Sequence, residues 1–223
     1  RSSFADLPRL MRLMTGDEKH SPSAHSTLDV LQVLYERILR VDPSNPHDPN
    51  RDRFLLSKGH GPMAYYAVLA ARGFISESDL ASFAEHESIL GNHPDRVLVP
   101  GVEISSGSLG HGMPIAVGVA LGLRAAGREI PRVFCLVGDG ELDEGSNHEA
   151  IAIAGRLGVG SLTVIVVDNG SSTHGWPGGI ASRFTTEGWA AETVDGHDHD
   201  AFERAVRVRH TATPGVVVAE VTP

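Results

Sequence analysis

A disulfide framework is excluded at once, because the chain has a single cysteine, Cys135. That residue sits inside an apolar run, where burial suppresses the thiolate, so a catalytic thiol is not expected there. One cysteine in 223 residues fits a reducing, cytoplasmic compartment. Aromatic residues are scarce, at 5%, which argues against stacking platforms for bases. Basic charge is in deficit: 19 Lys and Arg against 28 Asp and Glu give a net charge of −9. Nonspecific nucleic-acid binding is therefore not expected. No apolar run reaches membrane-spanning length, and the opening residues show no signal-peptide pattern. Internal repeats and low-complexity tracts are absent. What remains is enough chain to bury a full core, and a single domain over residues 1–223 is expected.

The most informative stretch spans residues 132–175, RVFCLVGDGELDEGSNHEAIAIAGRLGVGSLTVIVVDNGSSTHG. Residues 133–137 and 162–167 are short apolar runs, rich in β-branched side chains and ended by turn residues, which predicts two buried strands. Residues 144–157 between them have helical spacing. A strand–helix–strand unit favours parallel pairing with a right-handed crossover. The fold class expected is α/β, a doubly wound, mostly parallel sheet with helices on both faces.

Just past the two strands lie Gly138-Asp139-Gly140 and Asp168-Asn169-Gly170. In open parallel sheets ligands bind at that edge. Asp139 offers an anionic oxygen and Asn169 a neutral one. With a backbone carbonyl and two phosphate oxygens they would fill most of an octahedron around Mg²⁺. Gly138 and Gly140 let the backbone approach a phosphate, and a helix N-terminus adds partial positive charge. Two ordinary βα turns would also use Gly, Asp and Asn. The matched placement at two strand ends, with GELDEG continuing the first, favours a diphosphate held through a divalent metal.

GDGELDEG followed by DNG resembles the thiamine diphosphate motif, and more narrowly the transketolase family. The resemblance extends over nearly the whole chain. It implies the thiamine diphosphate-binding fold, with Mg²⁺ (or Ca²⁺ or Mn²⁺) ligated by Asp139, Asn169 and the carbonyl of Ser171. DRFLLSKGHGPMAYYA resembles the family's DRFxLSKGHxxxxxYA segment and implies that His60 lies beside the diphosphate and the reacting carbon. KHSPSAHSTLDVL resembles GHxGGxLSAADIL and implies a substrate-facing role for His20, although Lys19 replaces the usual Gly and His25 the usual Leu. GNHPD resembles a segment in which His93 lies near substrate hydroxyls. GVEISSGSLGHG implies that Gly107, Ser108 and Leu109 line the cofactor's pyrimidine, with His111 where the family has Gln or His. Gly140 and Glu141 are carried over as cofactor-binding. Glu144 aligns with a family carboxylate at the dimer interface and is assigned a proton-relay or interface role. His174 stands where an acid is common and reads as an exposed loop residue.

Several local readings need no family. Residues 4–14 form a short amphipathic helix. A helix over 27–39 has Thr27 as N-cap and Asp29 in its first turn, after a polar, proline-broken stretch. Ser76 and Asp79 open a helix over 76–87 as a capping box. Gly118 and Gly122 in a helix over 113–126 suggest close packing against the sheet. Glu141 and Asp143 read as first-turn acids favoured by the helix dipole. Gly196-His197-Asp198-His199 suggests a metal cluster, but it resembles the family's VDGHD turn, which introduces a helix over 201–210, and no third ligand has the spacing of a zinc site.

The resemblance covers only the family's first, diphosphate-binding domain. Thiamine chemistry also needs the aminopyrimidine held against a Glu that a second, pyrimidine-binding domain supplies. That domain and the C-terminal one are expected on a partner chain, in a heterotetramer of two copies of each. The chain stops at EVTP, before a Lys-Gly and His region usual in the family, and a split enzyme is the expectation. The expected function is the thiamine-binding subunit of a two-chain transketolase, active with its partner and moving a two-carbon ketol unit from a ketose, free or phosphorylated, to an aldehyde. The alternatives are the first component of a 2-oxo acid dehydrogenase-like system, passing a two-carbon acyl unit to a lipoyl or carrier protein, and a non-catalytic assembly subunit.

Overall fold

The structure, a computed structural model, describes residues 2–15 and 21–221. Five strands form one sheet: β1 (Arg53–Leu56), β2 (Val133–Gly138), β3 (Leu162–Asp168), β4 (Ala190–Asp195) and β5 (Gly215–Glu220). Their order is β1-β2-β3-β5-β4, and every pair is parallel. Strands buried on both faces carry continuous apolar runs, which is why β2 and β3 read so clearly in the sequence. The side-chain alternation divides two cores. Phe134, Leu136, Ile165 and Val167 face one, and Val133, Cys135, Val164 and Val166 face the other.

The first core is covered by α1 (Leu7–Met11), α2 (Ser21–Val33), α3 (Met63–Arg72) and α8 (His199–Arg207). The second is covered by α5 (Gly112–Ala125), α6 (Gly145–Arg156) and α7 (Ile180–Thr185). α4 (Glu77–Ala81) is a short outer turn packed on α3. The doubly wound α/β expectation holds, with helices on both faces.

Four local expectations change. The helix expected over 4–14 divides into a 3₁₀ turn, Phe4–Asp6, and α1. α2 starts six residues before Thr27, with Pro22 at its second position, where no N–H is needed. Thr27 is therefore not an N-cap; its hydroxyl donates to the Ala24 carbonyl at 2.9 Å. The helix runs on as a π turn, Leu34–Ile38. The Ser76 capping box is present, but its helix ends at Ala81, and Ala84 then takes a φ of 62° that no regular helix admits. Gly118 and Gly122 lie on the exposed side of α5, and a Cβ at either would meet nothing within 4 Å, so close packing on the sheet is not their reason.

Candidate functional site

Three strand ends supply the site. β1 leads into Ser57-Lys58-Gly59-His60, whose Ser57 and Lys58 N–H groups both donate to the Leu136 carbonyl of β2. β2 leads into Asp139, whose N–H donates to the Val167 carbonyl of β3 at 3.1 Å. The tips are thereby fixed side by side. The Asp139 carboxylate is only 3% exposed although it lies at the sheet edge. It accepts from the Ser171 hydroxyl at 2.6 Å and from the Ser172 N–H at 2.7 Å. A Cβ on Gly140 would stand 3.7 Å from the Ser171 carbonyl oxygen, so that carbonyl borders the same turn. The Asn169 side-chain oxygen accepts from the Ser171 N–H at 3.2 Å, which folds the β3 loop back on itself.

Glu141 is 2% exposed and lies in the 3₁₀ turn Gly140–Asp143. It does not sit in the first turn of α6, which begins only at Gly145, and its carboxylate is turned inward. One oxygen accepts from the Ser57 hydroxyl and from the Gly110 N–H at 2.9 Å; the other accepts from the Gly138 N–H at 3.3 Å. Burial pushes its pKa up, against the pull of those donors and of Lys58. The Ser57 oxygen in turn accepts from the Gly112 N–H at 2.9 Å, so the start of α5 is tied to the same carboxylate. Lys58 passes beside Gly138, where a Cβ would come within 3.2 Å of its Cδ. Burial brings its ammonium down to about 8, opposed by Asp139 and Glu141.

A second group converges on the same edge. The His60 and His93 rings lie edge to face, with centroids 5.1 Å apart. A Cβ on Gly107 would fall 2.6 Å from His93 Cδ2, and one on Gly59 would fall 2.6 Å from the Gly107 nitrogen. The 59–60, 93 and 106–107 segments are thus in van der Waals contact, and only glycine fits at two of the junctions. Gly107 has a φ of 141°, which an L side chain rarely adopts. Glu144 is exposed at the N-cap of α6, and its Cβ lies where a side chain on Gly110 would go. Ser108 and His111 are exposed, Leu109 is half-buried, and His111 Nδ1 lies 3.2 Å from the Ser108 carbonyl. His174 is exposed. His20 lies outside the described residues.

Among the described residues, no cluster of three His, Cys, Asp or Glu side chains could hold a metal ion. A cation at the strand tips would rest on one carboxylate, one amide, one backbone carbonyl and oxygens brought by the cofactor. That all-oxygen set, with one buried acid, suits a hard divalent ion that keeps phosphate ligands, so the residues fit Mg²⁺. His197 and His199 do not form a zinc site; each places a ring nitrogen 2.8 Å from a different oxygen of Asp29 on α2.

The family model for the transketolase thiamine diphosphate-binding domain matches residues 14–221. The chain belongs to that family. A protein of Rhodococcoides fascians named Ferredoxin fas2 is 57% identical over 220 residues, covering 99% of this chain and 72% of its own length. Transketolase 2 of Xanthobacter flavus is 35% identical, covering 91% of this chain but 32% of its own length. A transketolase of Pichia stipitis solved with fructose-6-phosphate superposes with a TM-score of 0.83 at 26% identity, over 98% of this chain and 35% of that one. One from Leishmania mexicana shares the fold, with a TM-score of 0.80 at 24% identity, over 99% of this chain and 37% of that one. The chain thus spans about a third of the length of these transketolases.

As a thiamine diphosphate-binding domain, the chain uses residues that sequence reasoning passed over. Ser57 and Lys58 stand inside the SKGH motif, yet only its histidine drew attention. Ser172 holds Asp139 through a main-chain N–H, which no residue type announces. Asn147 is fully buried in α6 and donates to the Glu141 carbonyl at 2.6 Å. Arg183 of α7 pairs with Asp143 at 3.1 Å and caps the Leu142 carbonyl, bracing the turn from 41 residues away.

Proposed function

We propose that this chain is the thiamine diphosphate- and Mg²⁺-binding component of a two-chain, transketolase-like enzyme. It would move a two-carbon ketol unit from a ketose donor to an aldehyde acceptor. The observation that carries the reading is the buried Asp139 carboxylate at the β2 tip, held by the loop that also presents Asn169 and Ser171. Asp139, Asn169 and the Ser171 carbonyl would hold the cation, and through it the diphosphate. Gly107, Ser108, Leu109, Gly140 and Glu141 would shape the rest of the cofactor cradle. The cofactor, once bound, supplies the carbon nucleophile and the electron sink for carbon–carbon cleavage. His60 and His93, ring against ring, would donate to or take protons from substrate hydroxyl oxygens, and His20 would reach the same substrate. Glu144, at the exposed start of α6, would meet the partner. The pyrimidine-binding half would come from that partner, in a heterotetramer. The family's length supports the need for it: this chain spans about a third of its transketolase relatives. No described helix is long and apolar enough to cross a membrane; a cytoplasmic site of action is part of the proposal.

The test mixes this chain with a pyrimidine-binding half and follows cleavage of ketose phosphates. Activity should require both chains, thiamine diphosphate and Mg²⁺. Asp139→Asn should reduce cofactor affinity at least tenfold, read by calorimetry, because the cation loses its one anionic protein ligand. Absence of thiamine-dependent cleavage on any ketose, with cofactor bound, overturns the transketolase reading. Absence of cofactor binding with the partner present leaves the assembly-subunit reading.

A second reading draws on the name of the 57% identical relative. A two-carbon unit that leaves as an acyl group, instead of passing to an aldehyde, needs an electron acceptor. A ferredoxin or a lipoyl group is such an acceptor. The chain would then be the first component of a 2-oxo acid dehydrogenase-like system. Incubation with a 2-oxo acid and a lipoylated carrier, with detection of acylated carrier, separates the two.

A further inference from the structure

The edge of the sheet opposite the candidate site, where the strands begin, carries a cleft of about 430 Å³. Arg124 at the end of α5, Arg128 beyond it, Arg132 just before β2 and Arg209 just after α8 line it, and Glu129 is the one acid among its lining residues. We propose that this cleft is a binding site for a small polyanion carrying two or more phosphate groups, separate from the cofactor site.

Four features carry the assignment. First, two of the arginines are pinned as a floor. Arg132 donates through Nη2 to the Val206 carbonyl at 2.8 Å and lies 4.6 Å over the Phe134 ring; Arg124 donates to the Leu157 carbonyl at 2.9 Å. Second, the other two have no partner. Among the described residues, neither the Arg128 nor the Arg209 guanidinium makes a hydrogen bond or an ion pair, and both residues are exposed. The neighbouring hollow makes the contrast plain: there Arg40 pairs with Asp52 at 2.6 Å and Arg37 with Glu203 at 3.0 Å. Third, positive charge is crowded, with four arginines against the single acid Glu129 in the lining. Burial first, then Arg209, with Arg40 and Arg207 behind it, brings the Arg132 guanidinium down to about 10 despite Asp52. An anion in the cleft would relieve that repulsion. Fourth, the wall is backbone of fixed shape. A Cβ on Gly158 or Gly160 would come within 2.7 Å and 2.5 Å of the carbonyls of Ala212 and His210.

Guanidinium groups meet phosphate oxygens in paired hydrogen bonds, and two free forks over a cationic floor suit a ligand with at least two such groups. The concavity and its volume are those of a small-molecule site. With a chain charge of −9, polyanions are repelled elsewhere, so attraction concentrates here. Strands of six residues separate this edge from the tips of β2 and β3 by about 20 Å, too far for one diphosphate to touch both.

The test is calorimetry of the full chain with inorganic pyrophosphate, without Mg²⁺, at about 0.15 M salt. Wild type and Asp139→Asn should both bind one pyrophosphate, because the cofactor site is not used. Arg128→Ala with Arg209→Ala should weaken binding about tenfold or more, with an unchanged Tm in the absence of the probe. Lack of saturable binding, binding unaffected by the double variant, or binding lost in Asp139→Asn overturns the proposal. Tighter binding of poly-glutamate than of pyrophosphate at the same arginines also overturns it, in favour of an acidic polypeptide. The outcome is independent of the ketol-transfer reading, since no carbon–carbon chemistry is measured.

Discussion

Glu141 joins three loops through one buried carboxylate: the Ser57 hydroxyl after β1, the Gly110 N–H before α5 and the Gly138 N–H at the end of β2 all point at it. Replacing it leaves buried donors without an acceptor, and each such orphan costs about 1–3 kcal/mol. Glu141→Gln should therefore lose about 1–3 kcal/mol in a denaturant titration, since its amide NH₂ must face one of those donors. Glu141→Ala should lose more. A stability equal to wild type in both variants would show that the loops hold each other without the carboxylate. Sequence alone pointed to Asp139 and Asn169 because each stands next to glycine at a strand end. Glu141 was harder to read, because an acid after a strand turn has an everyday explanation in helix polarity. Its role depends on Gly110 and Ser57, 31 and 84 residues away.

At the scale of elements, strands were the most legible and helix ends the least. β2 and β3 announce themselves because burial on both faces demands unbroken apolar runs. α2 did not, because SPSAHS is polar and carries a proline, and a proline at a helix start looks like a break. Glycines inside helices read ambiguously, and the structure sorts them. Gly118→Ala, with open space around the new methyl group, should stabilise the chain by up to about 1 kcal/mol. Gly155→Ala in α6 should do the reverse and cost several times as much, because its Cβ would sit 1.9 Å from the Glu187 carbonyl oxygen. Thermal melts of the pair decide this, and equal effects of either sign would refute the packing of α6 on the turn before β4.

The clasp between α2 and the β4–α8 turn adds a pH test. Burial works to raise the Asp29 pKa, and hydrogen bonds from His199 and His197 outweigh it, so the folded value lies below the ordinary 3.8. A depressed carboxylate contributes stability that is complete above 3.8 and lost as pH falls through the folded value. Asp29→Asn should cost on the order of 1 kcal/mol at neutral pH, the half-exposed pair being screened by solvent. The gap to wild type in Tm should close as pH drops below the ordinary carboxylate value. A gap that persists there would mean that the amide disturbs packing and not charge.

For the whole molecule, the two cores share one sheet, and that sheet should open as a unit. The sequence showed nothing of the arginine-lined edge, because residues 124–132 and 209 meet only once the chain is folded. It did locate a probe of cooperativity, although for a different reason. Cys135 is fully buried in β2, paired with Leu55 of β1 on one side and Val164 of β3 on the other. Burial raises its thiol well above the ordinary value, so no reactive thiolate is present while the sheet is intact. Exposing it requires both ladders and the cover of α5 and α6 to part. Ellman labelling in native buffer should therefore be slowed by roughly the global folding constant, a factor between about 10³ and 10⁸. Its rate should climb with denaturant along the full slope measured at equilibrium. A shallow or flat dependence would mean that β2 is released by a local opening, and that the tips of β2 and β3 can separate without unfolding the domain.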